Sequence, residues 1–164
     1  MEEADILRNL LSQYRASLAM MKHVIEVCPD ELWLAADDRN RFWQIAYHAL
    51  FCTHLYASQS ETEFTPWKKH RPECRLLGSR PEGSATWEPY SKAELLEYLQ
   101  ICSVEVEDKL SKPGLEQASG FDWLPFNRLE LHLYNIRHLQ HHTGQLADRL
   151  RAACGIGAPW VRLA

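Results

Sequence analysis

Residues 135–146 read NIRHLQHHTGQL and hold three of the chain's eight histidines, at positions 138, 141 and 142. They lie inside a long helical pattern, so their spacing decides which of them share a face. Residues four apart on a helix project from the same face, which makes His138 and His142 a pair suited to hold one metal ion. His141 lies about 100° from His142 around the helix axis, so we expect it at the edge of that face. Such a pair needs a third ligand from elsewhere in the chain.

The overall composition is ordinary for a globular protein. The 164 residues are 46% hydrophobic and 24% charged, which predicts a single domain over residues 1–164. The net charge of −4 argues against a nucleic-acid partner, because phosphate binding requires a basic surface. No apolar run reaches the ~20 residues that a membrane span needs. The acidic start MEEADILRN is unlike a signal peptide, and the five cysteines form no CxxC pair, so we expect a cytoplasmic protein.

Hydrophobic periodicity predicts four helices and no alternating strand pattern, and therefore an all-α fold. The helices are expected from about Ala4 to Val27, from about Arg41 to Ser58, from Ser91 to before Pro113, and from Asn127 to about Ala153. Both later helices begin with a capping pattern, and Gly155 is expected to end the last one. The architecture is a four-helix bundle with a long connection, Gln59–Tyr90, between the second and third helices.

The connections are expected to pack on the bundle. Glu31–Arg39 is predicted as a short connection, and His70, in the charged run KKHRPE of the long one, is expected to be solvated. Aromatic residues of the connections and the tail are candidates to wall an apolar pocket, with the last of them docked on the bundle: Trp67, Trp87, Trp123 and Trp160.

The second helix supplies the third ligand. Its sequence, RFWQIAYHALFCTHLYAS, is apolar almost all round, which is typical of a helix packed on several sides. It carries His48 and His54, which lie about 120° apart around the axis. His48 is the better candidate to face His138 and His142. Cys52, one turn later, is a soft-ligand candidate for which core packing is the favoured interpretation.

Three neutral imidazoles suit zinc or nickel, with iron, manganese and copper as alternatives. They leave a coordination position open, which is the arrangement of a catalytic site rather than a structural one. Asn135 and Gln145 flank the pair at helical spacing and are candidates to hydrogen-bond an imidazole and fix its ring. The alternative is that these histidines are core residues satisfied by neighbours. The HxxxH pair also lacks an intervening glutamate, so the motif itself supplies no general base.

The segments FWQIAYHALF, NIRHLQHHTGQL and LRAACGIGAPWVR resemble the DinB/YfiT-like superfamily, and the likeness spans nearly the whole chain. The resemblance implies a four-helix bundle with a divalent metal held by one histidine of the second helix and an HxxxH pair of the last. By motif position these are His48, His138 and His142. Some relatives are thiol transferases that use bacillithiol or mycothiol, one is a maleylpyruvate isomerase, and others are hydrolase-like. The resemblance also implies a homodimer.

Three hypotheses about function stay open. The first is a metal-dependent enzyme, a thiol S-transferase whose partners are a bacillithiol-, mycothiol- or glutathione-type thiol and an electrophile. A hydrolase that uses metal-bound water would look the same in sequence. The second is a non-catalytic metal- or ligand-binding bundle, and the third has no metal. No catalytic residue is assigned, and His141 either shuttles a proton beside the metal or, as we favour, faces solvent.

Overall fold

The computed structural model describes residues 2–35, 39–78 and 87–162, and within those ranges it contains five α-helices and no strand. The helices are α1 (Glu3–Val27), α2 (Asp30–Leu34), α3 (Phe42–Ala57), α4 (Lys92–Leu110) and α5 (Arg128–Cys154). One turn of 3-10 helix, Pro72–Cys74, lies between α3 and α4. The all-α fold class predicted from the sequence is confirmed. None of the described helices combines the length and apolar character that a membrane span requires.

Local sequence signals set the ends of α4 and α5. Ser91 Oγ accepts a hydrogen bond from Glu94 N at 3.2 Å, and Glu94 Oε2 accepts one from Ser91 N at 2.9 Å, which completes the predicted capping box. Asn127 Oδ1 accepts from Glu130 N at 2.9 Å at the start of α5. Gly155 follows α5 with φ 68°, the left-handed conformation that lets a glycine end a helix.

The four long helices enclose an apolar interior. α1 packs against α4 and α5, and α3 packs against the same two helices, so each long helix has two long neighbours. This arrangement is compatible with the predicted bundle. Large aromatic side chains fill much of the interior and are fully buried: Tyr14, Trp43, Tyr47 and Tyr98. Because α3 is buried on several sides, its few polar side chains must find partners inside the protein.

The short helix α2 corrects the prediction that Glu31–Arg39 is only a connection. Trp33 is 3% exposed, and its indole Nε1 donates to Tyr90 O at 2.8 Å. That contact comes from a part of the chain far away in sequence, so five residues of local pattern do not reveal it. Residues 36–38 of the predicted connection lie outside the described residues.

The long connection between α3 and α4 packs on the bundle through stacked aromatic rings. Trp67 stacks on Tyr98 with ring centroids 4.6 Å apart and planes 9° apart, and Tyr90 stacks on Tyr47 at 4.6 Å. The prediction that its aromatic residues hold it against the body is confirmed for Trp67 and Tyr90. Residues 79–86 of the connection lie outside the described residues.

The prediction that His70 is solvated is wrong. Its ring is half-buried, stacks on Phe51 with centroids 5.0 Å apart, and hydrogen-bonds through Nδ1 to the Tyr47 hydroxyl. The charged run KKHRPE suggested exposure, but Lys69 and Arg71 on either side of His70 are also half-buried. His70 instead anchors the long connection to α3.

A buried polar network links α1, α5 and the end of α3. His132 is 1% exposed, its Nδ1 lies 3.1 Å from Tyr14 Oη, and its Nε2 lies 3.1 Å from Gln59 Nε2. The Gln59 amide can only donate there, so Nδ1 carries the proton of the neutral ring and donates to Tyr14. The tyrosine hydroxyl in turn donates to the carbonyl oxygen of His132 at 3.4 Å. Every polar atom of the imidazole is therefore satisfied without charge.

Gly120 lies where the connection after α4 crosses the end of α3. A Cβ added at this residue would lie 2.0 Å from Gln59 O, and the φ angle of Gly120 is +84°. We expect Gly120→Ala to lower the free energy of unfolding by at least about 2 kcal/mol, because it combines a backbone clash with a strained conformation. Gly157→Ala is the matched control, since nothing lies within 4 Å of its added Cβ. Urea unfolding measures both, and equal losses would contradict the expectation.

Acid should destabilise the fold through His132. Burial, with a smaller effect of Arg128, lowers the pKa of His132 from its ordinary 6.5 to about 4. The unfolded chain therefore binds a proton between these values that the folded chain does not, and stability is lost as the pH falls from 6.5 towards 4. We expect His132→Gln to make the free energy of unfolding depend less steeply on pH in this window, by up to about 1.4 kcal/mol per pH unit. Identical slopes in urea titrations at pH 4.5–6.5 would refute this role.

Candidate metal centre

Three histidines from two helices meet at one place in the structure. One ring nitrogen of each of His48, His138 and His142 lies within 4.8 Å of the others. His48 comes from α3 and the other two come from successive turns of α5, so the packing of α3 against α5 creates the cluster. The ring centroids lie 4.5–5.1 Å apart. The structure thus brings together the three residues that the sequence singled out.

The long connection orients His48. Its Nδ1 lies 2.6 Å from the main-chain oxygen of Arg75, the residue that follows the 3-10 turn Pro72–Cys74. A carbonyl oxygen can only accept, so Nδ1 carries the proton and Nε2 keeps its lone pair. Sequence reasoning missed this contact, because a main-chain carbonyl leaves no signature in residue identity.

Gln145 orients His142 in the same way. Its Oε1 lies 2.7 Å from His142 Nδ1, which places the proton on Nδ1 and the lone pair on Nε2. The two residues are three apart on α5, so the helix itself sets their separation. The candidate contact between Gln145 and a ring of the cluster is present.

His138 is held differently. Its Nδ1 is buried and has no hydrogen-bond partner among the described residues, while its Nε2 lies 3.2 Å from His142 Nε2. His142 presents a lone pair at that position, so the two nitrogens share one small space. A cation between them would be bound by both lone pairs.

All three imidazoles are neutral at pH 7. Burial lowers the pKa of His138 to about 3, and the neighbouring His142 and His48 act in the same direction. Burial also lowers the pKa of His142 to about 4, against the opposing hydrogen bond from Gln145. Burial lowers the pKa of His48 too, and the Arg75 carbonyl opposes it. A metal ion therefore has no protons to displace from these rings near neutral pH.

The geometry of the pair on α5 fits a divalent metal. Zinc–nitrogen bonds are about 2.05 Å long, so two nitrogens of a tetrahedral site lie about 3.3 Å apart. The His138 Nε2–His142 Nε2 distance is 3.2 Å. Three neutral nitrogens with outward hydrogen bonds on two of their rings are a donor set that zinc, nickel, copper and iron accept. The residues present therefore fit such a metal, with a further coordination position left for another molecule.

Two neighbours stand outside this three-nitrogen cluster. Cys52 Sγ lies 3.9 Å from His48 Nε2, and burial raises the pKa of its thiol to about 12, so it is protonated and packed at neutral pH. This agrees with the favoured interpretation of Cys52 as a core residue. His141 is exposed, and its ring centroid is 4.9 Å from that of His142. His141 is thus exposed, as expected, and whether it shuttles a proton stays untested.

Asn135 requires a correction. Its amide Nδ2 donates to the main-chain oxygen of Thr53 at 3.0 Å, so the side chain joins α5 to α3 instead of holding an imidazole through that group. Asn135 is fully buried, nearly one turn before His138. Helical spacing placed it on the correct face but did not show how far into the interface it reaches. Its contribution is to the contact between the two helices that carry the cluster.

The tryptophans differ from one another in burial. Trp67 is 4% exposed and belongs to the core, and Trp87 is half-buried. Trp123 is 51% exposed and Trp160 is 75% exposed. The prediction that Trp160 docks on the bundle is wrong, because the tail after Gly155 leaves its ring in solvent. A shared pocket wall of all four rings is therefore not what the structure shows.

The sequence comparison agrees with this geometry. Residues 13–146 match the family model described as the DinB superfamily, which is most of the chain. The chain belongs to the DinB superfamily. Comparisons with curated proteins and with solved structures gave no match. The three histidines of the cluster lie within the matched residues of this DinB protein, and members of the superfamily often bind metals.

The hydrogen bond from His142 to Gln145 should strengthen metal binding. We expect Gln145→Ala to weaken Zn²⁺ affinity about 10- to 100-fold, because the ring loses the acceptor that fixes its tautomer and orientation. Gln140→Ala is the control on the same helix, since Gln140 contacts Met20 Sδ and not the cluster. Competition with a chromophoric chelator measures both affinities. Equal Zn²⁺ affinity in the two variants would show that Gln145 does not support the site.

Proposed function

We propose that this DinB protein is a divalent-metal-dependent thiol S-transferase, which joins a small thiol to an electrophile. The observation that carries the proposal is the cluster of three neutral imidazoles. Hydrogen bonds orient two of these rings, His48 and His142, so that their Nε2 atoms point inward. A divalent metal held there, with zinc or nickel as the first candidates, would lower the pKa of a thiol that binds it. The chain itself would hold the metal through three imidazoles, keep those imidazoles uncharged by burying them, and leave one side of the metal accessible.

The donor set contains no general base, and a thiol bound to the metal as thiolate does not need one. The cluster found among the described residues consists of histidines alone, and no glutamate lies between His138 and His142. Metal-dependent hydrolysis of peptides uses such a glutamate as a general base. A thiol activated by a metal needs no separate base once its proton has left, because the thiolate is itself the nucleophile. An all-histidine cluster is therefore compatible with a thiol as the nucleophile, and the ester substrates in the turnover assay below distinguish it from a metal-bound water.

The accessible side of the cluster supports a reaction rather than a structural role. His48 and His138 are half-buried, so the rings are not sealed inside the bundle. Structural zinc sites usually surround the ion with four protein ligands, whereas three ligands leave a position for a substrate. Cys52 Sγ lies 3.9 Å from His48 Nε2, but its buried thiol is protonated at neutral pH. We therefore assign the open position to the thiol substrate.

Metal analysis is the first test of the proposal. Untagged protein, purified without a nickel column, should contain about one divalent metal ion per chain by mass spectrometry. His138→Ala should remove that metal, whereas His141→Ala should keep it, because His141 is the exposed neighbour of the cluster. Absence of metal from wild type, with no shift of melting temperature on adding Zn²⁺ or Ni²⁺, would refute the metal centre.

A turnover assay then separates the possible reactions. The metal-loaded protein is incubated with 1-chloro-2,4-dinitrobenzene and a panel of small thiols that includes glutathione. Conjugate formation that requires both thiol and metal, and is lost in His138→Ala, supports the transferase. Turnover of ester substrates without any thiol would instead identify a hydrolase. Metal binding without either reaction would favour the non-catalytic bundle.

The homodimer and cytoplasmic location stay predictions.

A further inference from the structure

Two stripes of side chains face each other across the groove between α3 and α5. Both follow four-residue spacing, so each stripe lies along one side of its helix. The stripes are His48, Cys52 and Tyr56 on α3, and Tyr134, His138 and His142 on α5. The metal ligands occupy one end of this groove, and two tyrosines occupy the other. No role in the proposed reaction has so far been given to the tyrosine end.

Ring contacts connect the two ends of the groove. The Tyr134 ring lies nearly parallel to that of His138, with planes 20° apart and centroids 6.5 Å apart. Tyr56 meets Tyr134 edge to face at 5.4 Å across the groove. Both tyrosines are half-buried, so part of each ring remains accessible beside the cluster. Aromatic faces are therefore presented within one side-chain length of the proposed metal position.

The connection between α4 and α5 extends this aromatic surface. Phe121 is buried and lies 5.5 Å from the Tyr56 ring, and Trp123 lies 5.4 Å from Phe121. Burial raises the pKa of Tyr56. The neighbouring Cys52 and Tyr134 raise it further, whereas a hydrogen bond with the Trp123 indole lowers it. Although 51% of Trp123 is exposed, its ring packs against that of Phe121. A large half-exposed aromatic ring fixed in this way is a surface that a ligand can cover.

We propose that the aromatic groove formed by Tyr56, Tyr134 and Trp123 binds an aromatic or conjugated group of the electrophile beside the metal centre. The reaction assigned to this groove rests on the proposed function, whereas binding in it does not require a metal. Offset and edge-to-face contacts with three rings favour a flat occupant over an aliphatic one. A protein partner would need about 800 Å² of surface, which three side chains do not provide.

Substitution of the two exposed tryptophans tests the groove. The probe is 2-naphthalenemethanol, with cyclohexylmethanol as its non-aromatic counterpart, and ligand-observed NMR gives the dissociation constants. Wild type should bind the naphthalene probe more tightly than the cyclohexyl one. Trp123→Ala should weaken the naphthalene probe roughly two- to tenfold, the range expected for one aromatic contact. Trp160→Ala is the matched control, because its ring is 75% exposed and makes no ring contact in the described chain.

Further arms keep the test decisive. Tyr134→Leu retains an apolar side chain on α5 and removes the ring, so it should weaken the naphthalene probe in a protein whose melting temperature is checked separately. Equal effects of Trp123→Ala and Trp160→Ala, or equal affinities for the two probes, would overturn the groove. The measurement is made on Zn²⁺-loaded and chelator-treated protein. Trp123-dependent binding in both samples would support the groove, and failure of the protein to take up Zn²⁺ at all would separately refute the proposed function.

Discussion

The contact between α3 and α5 is the constraint on which the candidate site depends. One histidine of the cluster lies on α3 and two lie on α5, so the cluster requires both helices. Asn135 fixes the two helices through its hydrogen bond to the Thr53 carbonyl, and this bond lies inside the interface rather than at the cluster. Burial of the same interface also keeps the imidazoles neutral. The packing of α3 against α5 therefore both brings the three imidazoles together and keeps them neutral.

The long connection takes part in the site as well as in the fold. Its stacked rings hold it along α3 and α4, and this places the Arg75 carbonyl against the ring of His48. His70 strengthens the same attachment from within a charged run. A segment with the composition of a surface loop thus controls which nitrogen of His48 is available. Stability of the connection and orientation of the ligand are coupled for this reason.

Local signals in the sequence were sufficient for the four long helices and for the pair His138 and His142, and the face of the second helix together with the family resemblance added His48. The capping box at Ser91, the Asn127 N-cap, a terminal glycine and four-residue spacing act within one or two turns, so residue identity alone reveals them. Features that depend on distant segments could not be predicted. The burial of His132 depends on Tyr14 and Gln59, and the helix around Trp33 depends on Tyr90. The exposed position of Trp160 likewise follows from the course of the tail and not from its hydrophobicity.

The acceptor that holds His48 has a consequence for how this protein can change through evolution. Because the oxygen belongs to the main chain at Arg75, any amino acid other than one that redirects the backbone supplies the same hydrogen bond there. The side chain at that position is exposed, so substitutions there should be tolerated. His142, by contrast, depends on a specific amide at Gln145. Among relatives, the residue at position 75 should therefore vary while the course of the backbone there is kept. The residue at position 145 should vary less, because its side chain makes the contact.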